Sequence, residues 1–214
     1  MAPVEWMMYL STAMAITVFA IPLVLLSLAI PYAILRLRDS RNPTPDPQLG
    51  FKVAMQYFFS VSLLLVLFGL TTIVVDLILR TGGPRFGPED FPTEGQRTGF
   101  AMILSGGIFA LIHFLCLVTL TSSPFNSPVR RTFLGCRVAV HGLMVLTAGT
   151  MLLIGLFQRP GGGADEIRRS MLGILLVWTP SWIVHLVLLR ASPATTTDRE
   201  PTWTEGERER EWER

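Results

Sequence analysis

Three histidines stand inside apolar stretches: His113 in FALIHFLCLVTL, His141 in VAVHGLMVL and His185 in TPSWIVHLVLL. An imidazole in that setting can hydrogen-bond neighbouring helices, ligate an iron, or carry a proton near neutrality. His113 falls about eight residues before the end of its apolar stretch and His141 about eight after the start of its own, so both lie ~12 Å from one boundary. Equal depth on neighbouring antiparallel helices is what two axial imidazoles of a b-type haem require. With three histidines the chain has room for one bis-histidine haem at most, His113 pairing with His141 or His185. The reading favoured over haem binding is that the imidazoles hold helices together, with Thr119, Thr147 and Ser181 as hydrogen-bond partners.

Asp76, in TTIVVDLILR, is the only acid within an apolar stretch. It precedes Arg80 by four residues, a spacing that puts both side chains on one helix face near a membrane boundary and predicts an interfacial ion pair. Cys116 and Cys136 have neither C-x-x-C spacing nor a histidine or acid cluster, so they read as buried thiols and not as a disulfide or zinc pair. The sequence has no G-x-S-x-G, H-E-x-x-H, P-loop or paired membrane carboxylates, which disfavours enzymatic activity.

The elements that must position these residues follow from composition. Half of the 214 residues are hydrophobic and 16% are charged, more apolar surface than one soluble domain of this length hides. A net charge of +2 gives no footprint for nucleic acid. Crossing a ~30 Å hydrocarbon core takes about 20 apolar residues as a helix. Five stretches qualify: Trp6 to Leu35, Val53 to Leu79, Gly99 to Leu120, Phe133 to Phe157, and Ser170 to Leu189. An all-α integral membrane bundle of five transmembrane helices is therefore expected over residues 1–190. Pro22 and Pro31 interrupt the first, predicting a kink or an early exit near Pro31. A cleaved signal is disfavoured there, because MAPVEW carries Glu5 in place of a basic region and the apolar run is too long.

The linkers RDSRNPTPDPQ, RTGGPRFGPEDFPTEGQR, TSSPFNSPVRR and QRPGGGADEIRR are rich in turn formers and too short to fold as domains. Basic residues sort unevenly between the two sides. The first and third linkers and the tail, counted with Arg36, Lys52, Arg137 and Arg190 beside them, hold 12, and the second and fourth linkers hold 6; without the tail and Arg190 the balance is 7 to 6. The positive-inside rule then puts the N-terminus outside and the C-terminus in the cytoplasm. Residues 191–214 alternate acid and base after a Ser/Pro/Thr segment and are expected to be a disordered tail, with Trp203 and Trp212 in it.

The second and third spans also resemble the fourth and fifth. EGQRTGFAMILSGGIFALIHFLCL and EIRRSMLGILLVWTPSWIVHLVLL both open with E-x-x-R and both place histidine sixteen residues after that arginine, matching Arg97 to Arg169 and His113 to His185. The preceding helices end in LILRTGG and LFQRPGG, matching Arg80 to Arg159. A tandem hairpin, copy one over 53–120 and copy two over 133–190, has parallel orientation and predicts a pseudo-twofold axis along the membrane normal, the first helix being an addition. Ser105, Gly106 and Gly107, with Gly142 and Gly149, are the sites where backbones can approach closely.

The closing segment T-P-S-W-I-V-H, residues 179 to 185, resembles an uncharacterised family of bacterial polytopic membrane domains whose repeated hairpins end in a P-x-W-x-x-H helix. The resemblance covers residues 53–190 at most and fails in the first copy, where Gly107 to Ala110 supply neither proline nor tryptophan. It implies a membrane fold and no particular activity.

The expected role is a structural or assembly component of a membrane complex, with the bilayer and a membrane-protein partner or second copy as neighbours. A haem-binding electron-transfer subunit is the alternative, and transport of a small solute or proton the third possibility.

Overall fold

The computed structural model describes residues 26–41, 45–80, 93–121, 128–157 and 164–192. All regular structure among them is helical: α1 over residues 26–39, α2 Leu49–Arg80, α3 Glu94–Leu120, α4 Pro128–Phe157 and α5 Ala164–Ala191. Helices α2 to α5 are long and apolar enough to cross a membrane. Fewer than one in five residues in the apolar window of each is buried, so the surface they present is hydrocarbon. Leu104, Leu146 and Phe157 are 67%, 68% and 89% exposed, which suits lipid or another membrane protein and not water. The chain is in these respects a multi-pass membrane protein.

The first expected span is described only from Leu26 onward. Its described helix, about 21 Å long, is too short to cross alone, and residues 1–25 lie outside the described residues. The early exit expected at Pro31 does not occur, because the helix continues to Asp39. The tail from residue 193 onward, with Trp203 and Trp212, also lies outside the described residues.

Each spanning helix begins about a turn before its apolar stretch, because helix propensity and capping extend beyond the hydrocarbon. Thr93 caps α3, its hydroxyl accepting the Gln96 N–H at 3.1 Å. Pro128 opens α4, at a position where its missing N–H costs no helical bond. Asp165 and Glu166 occupy the first turn of α5 and Arg190 its last, as the helix dipole favours. At 32 residues α2 is about 48 Å long, well beyond a ~30 Å core.

The excess length of α2 lies at its N-terminal end, beside the start of α4. There Leu35 of α1, Leu49, Val53 and Tyr57 of α2, and Val129 and Phe133 of α4 form the buried core cluster. Ser27 and Tyr57 share a hydrogen bond of 2.7 Å that ties α1 to α2. Next to this cluster Lys52 Nζ reaches Asp46 at 2.6 Å, and Asp46 N–H donates to Asp39.

Helix α2 is the hub. It packs along α3, touches α5 substantially and α4 less, while α4 and α5 pack along each other. Among the described helices α3 approaches neither α4 nor α5. A twofold axis exchanging the hairpins would require α3 to meet α4 as α5 meets α2, so the expected pseudo-twofold arrangement is not observed. The larger side chains of α5 account for the difference: Trp178 reaches across to α2 from the position that Gly106 holds in α3.

The closest crossing joins α2 and α3 at Gly69 and Gly99. A Cβ on Gly69 would stand 2.6 Å from the Gly99 carbonyl, and one on Gly99 would stand 2.7 Å from the Gly69 carbonyl, so only glycine allows this approach. Of the glycines singled out from the sequence, Gly106 packs against the Ser62 carbonyl and Gly142 against Trp182, whereas Gly107 and Gly149 face open space. Cys136 is exposed and Cys116 half-buried; the expectation of two buried thiols fails for Cys136, which lies on the outward face of α4.

Candidate functional site

The polar side chains of α2, α4 and α5 converge at one level of the bundle. His141 and Trp178 are almost fully buried, at 1% and 0% exposure. The His141 ring stands edge-to-face against both Trp178, at 5.3 Å, and His185, at 4.5 Å between centroids. Ser181 Oγ lies 3.4 Å from His141 Nδ1, which makes this one of the hydroxyls expected from the sequence. Trp178 Nε1 donates to Thr71 Oγ1 on α2 at 2.9 Å, and that hydroxyl donates to the Leu67 carbonyl at 2.7 Å. One indole thereby fastens the second hairpin to the first.

A turn away, the guanidinium of Arg137 enters the same seam. Its Nε donates to Ser60 Oγ at 3.0 Å and its Nη2 to Gln56 Oε1 at 3.3 Å, and its Cζ lies over the Phe59 ring, 4.9 Å from the centroid. In the sequence Arg137 stands out only as one of the basic residues near the third linker. The missed signal was a pair of i,i+4 spacings: Arg137 with His141 on α4, and Gln56 with Ser60 on α2, each putting two polar groups on one face.

His113 is elsewhere. Its ring stacks on Phe58 at 5.4 Å and its Nδ1 lies 2.6 Å from the Phe109 carbonyl of its own helix. His185 makes the equivalent contact with the Ser181 carbonyl at 2.8 Å. His113 and Arg137 bear on adjacent residues of α2, Phe58 and Phe59. Only His141 and His185 are brought together. Thr119 turns to the Leu115 carbonyl and bridges no helices.

These rings do not fit a bis-histidine haem. Two axial imidazoles must sit on opposite faces of a porphyrin with the iron between them. His141 and His185 touch edge-to-face with no gap for a macrocycle, and His113 has Phe58 where a second imidazole would stand. Among the described residues no three His, Cys, Asp or Glu side chains cluster as a metal site.

Asp76 makes the ion pair that its spacing predicts, Oδ2 to Arg80 Nε at 3.1 Å. It also accepts a hydrogen bond from Thr93 Oγ1 at 3.1 Å, joining the end of α2 to the cap of α3. That role is structural and lies at the opposite end of the bundle from Lys52.

The two hairpins share a register. Ser62 stands eighteen residues before Arg80 and His141 eighteen before Arg159, while Gly106 and Trp178 each stand nine after Arg97 and Arg169. In the structure Gly106 packs on Ser62 and Trp178 packs on His141. Of T-P-S-W-I-V-H, Ser181, Trp182 and His185 face α4, with Ser181 beside His141, Trp182 over Gly142 and His185 against His141, while Ile183 and Val184 are exposed. No family model, curated protein or solved structure matches the chain.

Proposed function

We propose that the chain is a non-catalytic structural or assembly component of a complex in a bacterial cytoplasmic membrane, its N-terminus outside and its C-terminus inside. The observation that carries this reading is how the polar groups within the spans are used. Trp178 joins α5 to α2, Arg137 joins α4 to α2, and Ser181 lies beside His141 across the α4–α5 seam. Polar groups spent on fastening helices are what packing in lipid requires. The one-sided attachment of α3 supports a neighbour of its own kind: Phe100, Leu104 and Ile108 are exposed along a helix that, among the described helices α2 to α5, packs on α2 alone. The greater number of arginines in the first and third linkers and tail supports the orientation.

The shared register supports tandem duplication of one hairpin, with α1 added, and membership of a family of repeated membrane hairpins fits that origin. The repeat, in this reading, supplies two similar walls around α2.

Mass measurement of the protein released from native membranes in polymer nanodiscs tests the assembly role. The expected species exceeds the 23.8 kDa of one chain. A species of one chain and lipid alone contradicts it. An absorption spectrum of the same sample is expected to show no haem bands, and sharp visible bands lost on replacing His141 or His185 would return the chain to the electron-transfer class.

A further inference from the structure

We infer that the crevice between the two hairpins binds the anionic headgroup of a membrane lipid, with Arg137 as the counter-charge. Because α3 does not close against α4 or α5, a cavity of about 240 Å³ remains between them. Phe59, Phe114 and Leu117 line one wall and Arg137, His185 and Leu188 the other. The proposal does not depend on the assembly role, since a lone chain would keep the same crevice.

Arg137 is the reason for a negatively charged ligand. It is 8% exposed, and its partners among the described residues are neutral: Ser60, Gln56 and the face of Phe59. A guanidinium cannot lose its charge at any ordinary pH, and a buried charge calls for a compensating one. The hydrogen bonds to Ser60 and Gln56 use two of its five N–H groups, and the fork geometry of the remainder suits phosphate or carboxylate oxygens.

The order of polarity along the crevice is that of a lipid. Arg130 lies in the first turn of α4 and lines the same cavity, two helical turns or about 10 Å nearer the membrane surface than Arg137. Gln56 lies at this polar end, and Leu63 continues the wall of α2 toward the midplane. A headgroup reaching Arg137 past Arg130 would lay its acyl chain along Phe59, Leu63 and Phe114, and leave through the open side into the bilayer. Basic pockets between membrane helices are suited to anionic headgroups for this reason. A free anion would satisfy the guanidinium but leave the apolar walls bare.

The test uses the full chain in nanodiscs of mixed phosphatidylcholine and phosphatidylglycerol, with the lipid retained on gentle detergent release counted by native mass spectrometry. Wild type is expected to keep one phosphatidylglycerol per chain in preference to phosphatidylcholine by about tenfold, and R137Q to lose that preference. R137K, which retains charge without the fork, should keep part of it. L188W leaves Arg137 in place and narrows the crevice, so it carries the test should R137Q fail to fold, and it too should lose the preference. Equal retention of the two lipids by wild type, or an undiminished preference in folded L188W, overturns the proposal. Release of the lipid by millimolar inorganic phosphate would assign the site to a free anion and overturn the lipid assignment.

Discussion

In the α2–α3 hairpin Gly69 and Gly99 bring two backbones together, whereas the corresponding seam of α4 and α5 is filled by Trp178, Trp182, His141 and His185. The register is common to both, with Gly106 on Ser62 in one and Trp178 on His141 in the other. Lipid offers helices no hydrophobic drive to associate, which leaves close van der Waals contact and hydrogen bonding as the means available. The first hairpin uses mainly the first. The second uses both, and because its side chains are large it also reaches α2, through Trp178 to Thr71 and Arg137 to Ser60 and Gln56. One seam is therefore sealed within itself, and the other is shared between hairpins.

The largest effect is expected where side chains have no room. G99L places carbon atoms against the Gly69 carbonyl and Ile73 and should destabilise the bundle by about 3 kcal/mol, measured by reversible unfolding in mixed micelles. An effect near zero would mean that α2 and α3 do not cross at these glycines.

The shared seam should be next. Q56L removes the acceptor of one Arg137 hydrogen bond and is expected to cost about 1.5–3 kcal/mol, the range for hydrogen bonds to a charged group. The same substitution in an R137Q background should cost much less, because no cation is then left short of a partner. Equal costs in both backgrounds would separate Gln56 from Arg137.

Smallest of all are the changes at positions that give neither seam a hydrogen bond between helices or a close backbone approach. G149L faces open space, and H113A removes a ring that stacks on one phenylalanine and bonds only within its own helix; each should alter stability by about 0.5 kcal/mol or less. A loss of assembly mass in G149L at unchanged stability would identify the outer face of α4 as the partner contact.

How far the sequence could be read depended on the kind of signal. Four spans and their C-terminal ends were legible, because an apolar run bounded by turn residues has few alternatives in a bilayer. Asp76 and Arg80 were legible from a single i,i+4 spacing, and the matching arginines and histidines revealed the shared register before any packing was known. The tertiary partners were not legible. Nothing in the local pattern distinguishes Gly106, which packs, from Gly107, which faces outward, since adjacent residues on a helix differ by about 100° and the apolar face is continuous all round. The role of Arg137 was hidden for a similar reason: its partners Gln56 and Ser60 lie on another helix some 80 residues away. His113 and His185 occupy matched positions, yet only His185 has a second imidazole beside it, because Ser62 stands in α2 where α4 has His141.

The claim that intramembrane polar groups fasten the two hairpins together is tested most directly by a double-mutant cycle on Trp178 and Thr71. W178F keeps the ring contacts with Phe68 and His141, and T71V keeps the volume, so the cycle isolates the hydrogen bond of 2.9 Å. The account predicts a coupling of about 0.6–1.7 kcal/mol in lipid or mixed micelles, the range for hydrogen bonds between membrane helices. Strict additivity of the two single changes would contradict it.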